Sequence, residues 1–362
     1  VSDDDIHHLT AVATTSPQIT HQLNTTTQTG NLRGFAIQPA DINAGASYHP
    51  GKRVVCLTLP TLRGRDPDTD ADLAFLLGHE LHHAVLRDLR TQAWHHLLHT
   101  TDHAARTNSD YTTAITNYIT AMRWDEDTSN IKGWNAFVQH ARTTTEPLPR
   151  MVKDYPRAEM VAEVAGSRVV LREGFMPNPD LTIPLTPHNV AAMSRYYSGA
   201  DRELINIGVG RDADYPNYYG AQAISVVAFA HRAALNEQRR HEQRRRHAAT
   251  GPPFPEKPIV VNFAAHRLHP PLMESAGITL PDPTPLGYVD VSTTPPTQGV
   301  LHHTLDDPSG TSPVTLLTGR HTTRANKDRP RTGRRLRTGQ SLHPPTSRPH
   351  VAGTTDTHGL SR

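Results

Sequence analysis

The chain has 362 residues, with 37 Lys and Arg against 35 Asp and Glu, 30 Pro, one Cys and 24 His. A hydrophobic share of 36% and this proline content fit one compact fold of the full length poorly, so part of the chain is expected outside any packed core. Cys56 on its own excludes an intrachain disulfide framework and a cysteine-only metal cluster.

No apolar stretch approaches the roughly eighteen residues that cross a bilayer, so no membrane partner is expected. The start, Val1-Ser2-Asp3-Asp4-Asp5, is acidic and polar, unlike a standard secretory leader. The expected location is the cytoplasm by default, or outside the cell by a non-classical route.

Charge divides the chain unevenly. Residues 1–235 carry 20 basic and 25 acidic residues, whereas 319–362 carry 10 basic residues against Asp328 and Asp356. Trp94, Trp124 and Trp134 all fall in the first part, and 17 of the 30 Pro follow residue 250. These counts predict a folded unit over 1–247 and a Pro-rich, finally basic and largely disordered tail over 248–362. From residue 319 on there is no Phe, Tyr or Trp, so base stacking is unsupported and no nucleic-acid partner is expected.

In chain order, Asn31 to Gln38 and Arg53 to Leu59 read as short strands, the second following a Tyr48-His49-Pro50-Gly51 turn. A helix is predicted from Asp70 to Arg90, with Thr69 as its N-cap and Asp70 and Asp72 at the positive end of the dipole. A second helix is predicted over Thr112–Arg142, where Ile115, Tyr118, Ile119, Met122, Gly133, Trp134 and Phe137 recur at helical spacing. Further helices are expected at Arg157–Leu171, at Pro187–Tyr197 capped by Thr186, and at Ala221–Arg246. The fold class is therefore α+β and mainly helical, with a small N-terminal sheet.

The first long helix contains His79-Glu80-Leu81-His82-His83. Four residues make just over one turn, so His79 and His83 share a face and both imidazoles can reach one Zn²⁺ at about 2.0–2.1 Å. Glu80, rotated by about 100° around the helix axis, stands beside that metal, placed as a general base toward an activated water. A solvated histidine-rich face competes with this reading, since His82, His95, His96, His99 and His103 lie close by. Helix context, apolar flanks from Leu73 to Leu86, and Gly78 as a mark of close packing favour the metal.

The segment resembles the zincin metallopeptidases. The metzincin extension would place Gly at 86 and His at 89, where this chain has Leu86 and Leu89. The resemblance therefore implies the gluzincin branch, whose third ligand is a Glu on a downstream helix. Glu126, on the apolar stripe between Met122 and Gly133, is favoured, because a carboxylate there needs a neutralising partner. Asn130, one turn on, would then hydrogen-bond a ligating histidine. Glu163 in Glu159-Met160-Val161-Ala162-Glu163 is the rival.

The stretches Glu126–Asn135 and Asp212–Gly220 are similar to blocks of zincin domains in bacterial secreted effectors and polymorphic toxins. A Tyr of the second block is a possible oxyanion donor, none being singled out. The strand Val54–Leu59 resembles the edge strand that holds an extended peptide in zincins. The function implied is a zinc metallopeptidase acting on protein or peptide, with His79, His83 and Glu126 as ligands and Glu80 as base. The alternative is a non-catalytic interaction protein whose basic tail engages acidic partners.

Overall fold

Ser2 opens the first helix, α1 (Asp3–Thr15), through a capping box with Asp5, and Ser16 caps α2 (Pro17–Gln28), with Pro17 pre-set at its first turn. The structure, a computed structural model, describes residues 1–39, 45–199, 207–245 and 257–304. Two helices thus precede the sheet, although sequence reading starts the fold with strands. The sheet comprises β1 (Gly34–Gln38), β2 (Ala46–His49) and β3 (Val54–Thr58) in the order β1-β3-β2. β1 runs parallel to β3 and β2 antiparallel to it. Val54–Thr58 is therefore the central strand, not an edge. The edges are β1 and β2, and β2 is a strand that sequence reading does not show.

A short helix α3 (Leu59–Arg63) leads into α4 (Pro67–Val85). Its cap is Asp66 rather than Thr69. The Asp66 carboxylate accepts from the Asp68 and Thr69 amides, and the Asp66 amide in turn donates to Thr69 Oγ1. The helix ends at Val85, before the expected Arg90. Leu86 breaks it at φ −87° and ψ 5°, in the sparsely allowed bridge region, and α5 (Arg87–Arg106) follows at once. α6 (Thr112–Ala141) matches its expected span and runs unbroken past Trp124 for 30 residues, about 45 Å.

α4 and α6 cross at two glycines. A Cβ on Gly78 would lie 2.6 Å from the Ala136 Cβ and 2.7 Å from the Lys132 carbonyl, and one on Gly133 would lie 2.8 Å from the Phe75 ring. Only hydrogen fits at either position, so the sequence-level sign of close packing at Gly78 is realised.

Beyond α7 (Leu148–Asp154), the expected helix Arg157–Leu171 is absent. A 3-10 turn at Ala158–Met160 leads into a hairpin of β4 (Ala162–Ala165) and β5 (Arg168–Leu171). Gly166, at φ +64°, opens its two-residue loop, and Val164, Val169 and Val170 favour strand. Then come α8 (Pro187–Tyr196), capped by Thr186 as expected, and α9 (Tyr215–Arg245), which begins six residues before its predicted start at Ala221.

The expected boundary at residue 247 is also corrected. Residues 257–304 form β6 (Ile259–Val261), a 3-10 turn at Phe263–His266, α10 (Pro270–Gly277), β7 (Leu286–Asp290) and β8 (Thr297–Leu301). Ile259, Val261, Phe263, Met273, Ile278, Leu286 and Leu301 are buried in one core with Tyr111, which precedes α6, Ile115 and Ile119 of α6, and Ile224 and Val227 of α9. The prolines here punctuate short elements rather than mark a linker. The remainder of the expected tail, from 305 on, lies outside the described residues.

A second core joins α1, α2, the sheet and α4, and a third packs Phe75, Trp134 and Phe137 against α7 and the hairpin. The described protein is mixed α+β and mainly helical.

Candidate metal centre

His79 and His83 of α4 face Glu126 of α6 across the glycine crossing. The two Nε2 atoms are 3.0 Å apart, His79 Nε2 is 3.6 Å from Glu126 Oε2, and His83 Nε2 is 3.7 Å from Glu126 Oε1. Tetrahedral ligands at 2.0–2.1 Å from a metal stand about 3.3–3.4 Å apart, so these spacings fit one ion. Two imidazoles and one carboxylate are a donor set that zinc accepts. All three residues are at most 6% exposed, a costly place for a carboxylate without a positive partner. Among the described residues they form a group that could hold a metal ion.

His83 and Glu126 are held from behind by polar partners, His79 by packing. His83 Nδ1 lies 3.0 Å from Asp125 Oδ2, 3.1 Å from Ser129 Oγ and 3.0 Å from Arg90 Nη1, and a proton held on Nδ1 by Asp125 would leave Nε2 for a metal. Arg90 Nη1 donates to the same Asp125 oxygen at 2.5 Å, and is brought there by the break at Leu86. Tyr219 of α9 donates its hydroxyl to Glu126 Oε1 at 2.5 Å. The His79 ring lies over Phe75, with centroids 6.3 Å apart and planes 18° apart. Its Nδ1 is buried without a hydrogen-bond partner.

Electrostatics follow from burial and these partners. Burial holds His79 well below the usual histidine range and raises the Glu80 carboxyl. For His83 burial acts downward, but Asp125 and Glu126 outweigh it and push the group up to about 9. Burial raises Glu126. It would raise Asp125 too, yet Arg90 and His83 hold that carboxyl low.

Glu80 lies beside the group, with Oε1 4.0 Å from His79 Nε2. Its Oε2 accepts the Tyr48 amide of β2 at 2.6 Å, which fixes the carboxylate against the sheet edge. The carbonyls of Gly45 and His49 point to β3, accepting from Thr58 and Arg53. By strand alternation the peptide groups of Ala46 and Tyr48 point away from the sheet.

The structure brings His79, Glu80, His83 and Glu126 together and leaves Glu163 out. Glu163 is exposed on β4, opposite Val170. Asn130 does not reach a histidine; its Nδ2 donates to the Glu126 carbonyl at 2.8 Å, and Asp125 and Ser129 take the place foreseen for it. His82, assigned to a solvated face, is buried, whereas His95, His96, His99 and His103 are exposed and form no metal group among the described residues. Asp125, Arg90, Ser129, Tyr219 and the Tyr48 amide were not anticipated in these roles. Only Asp125 carried a local signal, a second acid beside Glu126 on a buried face.

No family model, no curated protein and no solved structure matches the chain.

Proposed function

We propose that the protein is a zinc-dependent metallopeptidase, with His79, His83 and Glu126 as ligands and Glu80 as general base. The observation that carries this reading is the convergence of those three donors, with a second, separately anchored carboxylate, that of Glu80, 4.0 Å from His79 Nε2. Zinc in that position would supply Lewis acidity, polarising a carbonyl and acidifying water.

The chain's own groups do the rest. Glu80 offers Oε1 to take a proton from water and pass it to the leaving nitrogen, while the Tyr48 amide keeps Oε2 in place. Burial raises the affinity of Glu80 for that proton. The Ala46 peptide groups and the Tyr48 carbonyl, which point away from β3, offer an extended substrate a strand to pair with beside the base. Tyr219 orients Glu126 and is thereby engaged, so it is not the free oxyanion donor.

The test is metal content with one variant. Purified protein should hold about one zinc per chain. Glu80→Gln should keep that zinc and lose hydrolysis of casein or mixed peptides. Protein that stays metal-free in zinc-containing buffer would sink the proposal.

A further inference from the structure

Arg157, at the start of the segment expected as the helix Arg157–Leu171, faces α4 through Asp72. It stands between Tyr155 and the 3-10 turn at Ala158–Met160, with its Nε 3.8 Å from Asp72 Oδ1 of α4. That is its one ion pair among the described residues, at a distance too long for a hydrogen bond. The Arg157 side chain is 37% exposed and that of Asp72 33%, so the pair is loose and shared with water.

The other groups around Arg157 are tyrosines. Its charge acts on Tyr155, Tyr197 and Tyr215, and on His79 itself. Burial raises all three phenols, which are therefore neutral at neutral pH and leave Asp72 alone to balance the guanidinium. Tyr197, Tyr215 and Tyr219 form a continuous wall. The hydroxyls of Tyr197 and Tyr215 meet at 2.6 Å, Tyr215 stacks on Tyr219 at 6.2 Å, and Tyr219 ends on Glu126. This wall ends on the metal donor Glu126, and Arg157 faces Asp72, two turns before His79 on the same face of α4.

We propose that Arg157 is a specificity residue that binds a carboxylate of the substrate close to the scissile bond. A guanidinium with free Nη donors reads a carboxylate through two parallel hydrogen bonds, and does so better than it holds Asp72 here. Asp72 precedes His79 by seven residues on α4, about 10 Å along its axis. An extended peptide advances about 3.3 Å per residue, so the carboxylate lies within about three residues of the cleaved bond. The substrate class is an acidic peptide, its charge coming from a Glu or Asp side chain or from the chain end. This inference rests on the metallopeptidase reading.

The experiment uses zinc-loaded protein and matched peptides that differ by Glu or Gln at one position, or by a C-terminal acid or amide. Wild type should cleave the acidic member at least about tenfold better in kcat/KM, mainly through KM. Arg157→Gln should erase that preference while keeping zinc content and kcat on the neutral peptides. Arg157→Lys, which keeps charge without the fork, should fall between. A preference confined to the acid–amide pair assigns the carboxylate to the chain end, and one in the Glu–Gln pair assigns it to a side chain. Equal cleavage of both members by wild type, or an undiminished preference in Arg157→Gln, overturns the assignment. Should no peptide be cut, the metallopeptidase reading fails separately. Calorimetric titration of the same peptides then still decides the role of Arg157: tighter binding of the acidic member, lost in Arg157→Gln, supports it, and equal binding ends it.

Discussion

Asp125 Oδ2 lies 3.0 Å from His83 Nδ1 and accepts Arg90 Nη1 on the same oxygen. A carboxylate behind a ligating imidazole fixes its tautomer and ring plane and raises its basicity. Asp125→Asn keeps the shape and removes the charge. Zinc affinity, read by competition with a chelator, should fall roughly 10–100-fold. An unchanged affinity would show that Ser129 alone orients His83.

Glu126 and Glu163 separate the two candidate third ligands by environment. Glu126→Gln should abolish tight zinc binding, whereas Glu163→Gln, on an exposed hairpin strand, should bind zinc as wild type does. Tyr219→Phe removes one hydrogen bond to Glu126 and should weaken zinc less than Glu126→Gln. The reverse order for the two Glu variants would move the centre to the hairpin.

Gly78→Ala places a methyl group against Ala136 and the Lys132 carbonyl. Forced separation of α4 and α6 should cost about 1–3 kcal/mol in urea unfolding. Ala136→Gly in the same chain should recover only part of that loss, because the Lys132 carbonyl stays in place. Full stability in the single variant would mean the crossing can open freely.

His140 gives a pH dependence away from the centre. It is 3% exposed, Thr15 Oγ1 lies 2.9 Å from its Nδ1, and its Nε2 has no partner. Burial lowers its affinity for a proton below the ordinary histidine value, with His8 adding to the shift and Asp70 opposing it. Below about pH 6.5 the unfolded chain therefore binds a proton that the folded chain refuses. Stability falls as pH drops through that window, until the lowered folded value is reached. His140→Gln should show a smaller loss between pH 7 and 5 than wild type in parallel denaturant titrations. Identical slopes would remove the assignment.

Residues 257–304 share the core of α5, α6 and α9. A chain ending at residue 247 would expose Ile115, Ile119, Ile224 and Val227. It should lose cooperative unfolding, as followed by circular dichroism against temperature. A sharp transition near that of the full chain would restore the shorter boundary.

What the sequence revealed was local. The 3.6-residue recurrence from Ile115 to Phe137 foretold α6, and a carboxylate on that stripe pointed to Glu126. The two histidines follow from their spacing together with the helix context, apolar flanks and Gly78 around them. What it concealed depends on distant contacts. Leu86 breaks α4 with no glycine or proline to announce it, and that break delivers Arg90 to Asp125. β2 is four residues long, too short for its alternation to stand out, yet it anchors Glu80. Glu159 to Ala165 looked helical because apolar residues fall at spacings that suit a helix, while Gly166 and the valines after it turn the chain into a hairpin.

The glycine crossing has a consequence for how a metal would be received. His79, His83 and Glu126 stand on two helices locked together through Gly78 and Gly133, so among the described residues the three candidate ligands all come from helices. The centre is preorganised, so little of the binding energy goes into ordering the chain. Metal should raise the melting temperature through mass action alone, leaving the far-ultraviolet spectrum unchanged.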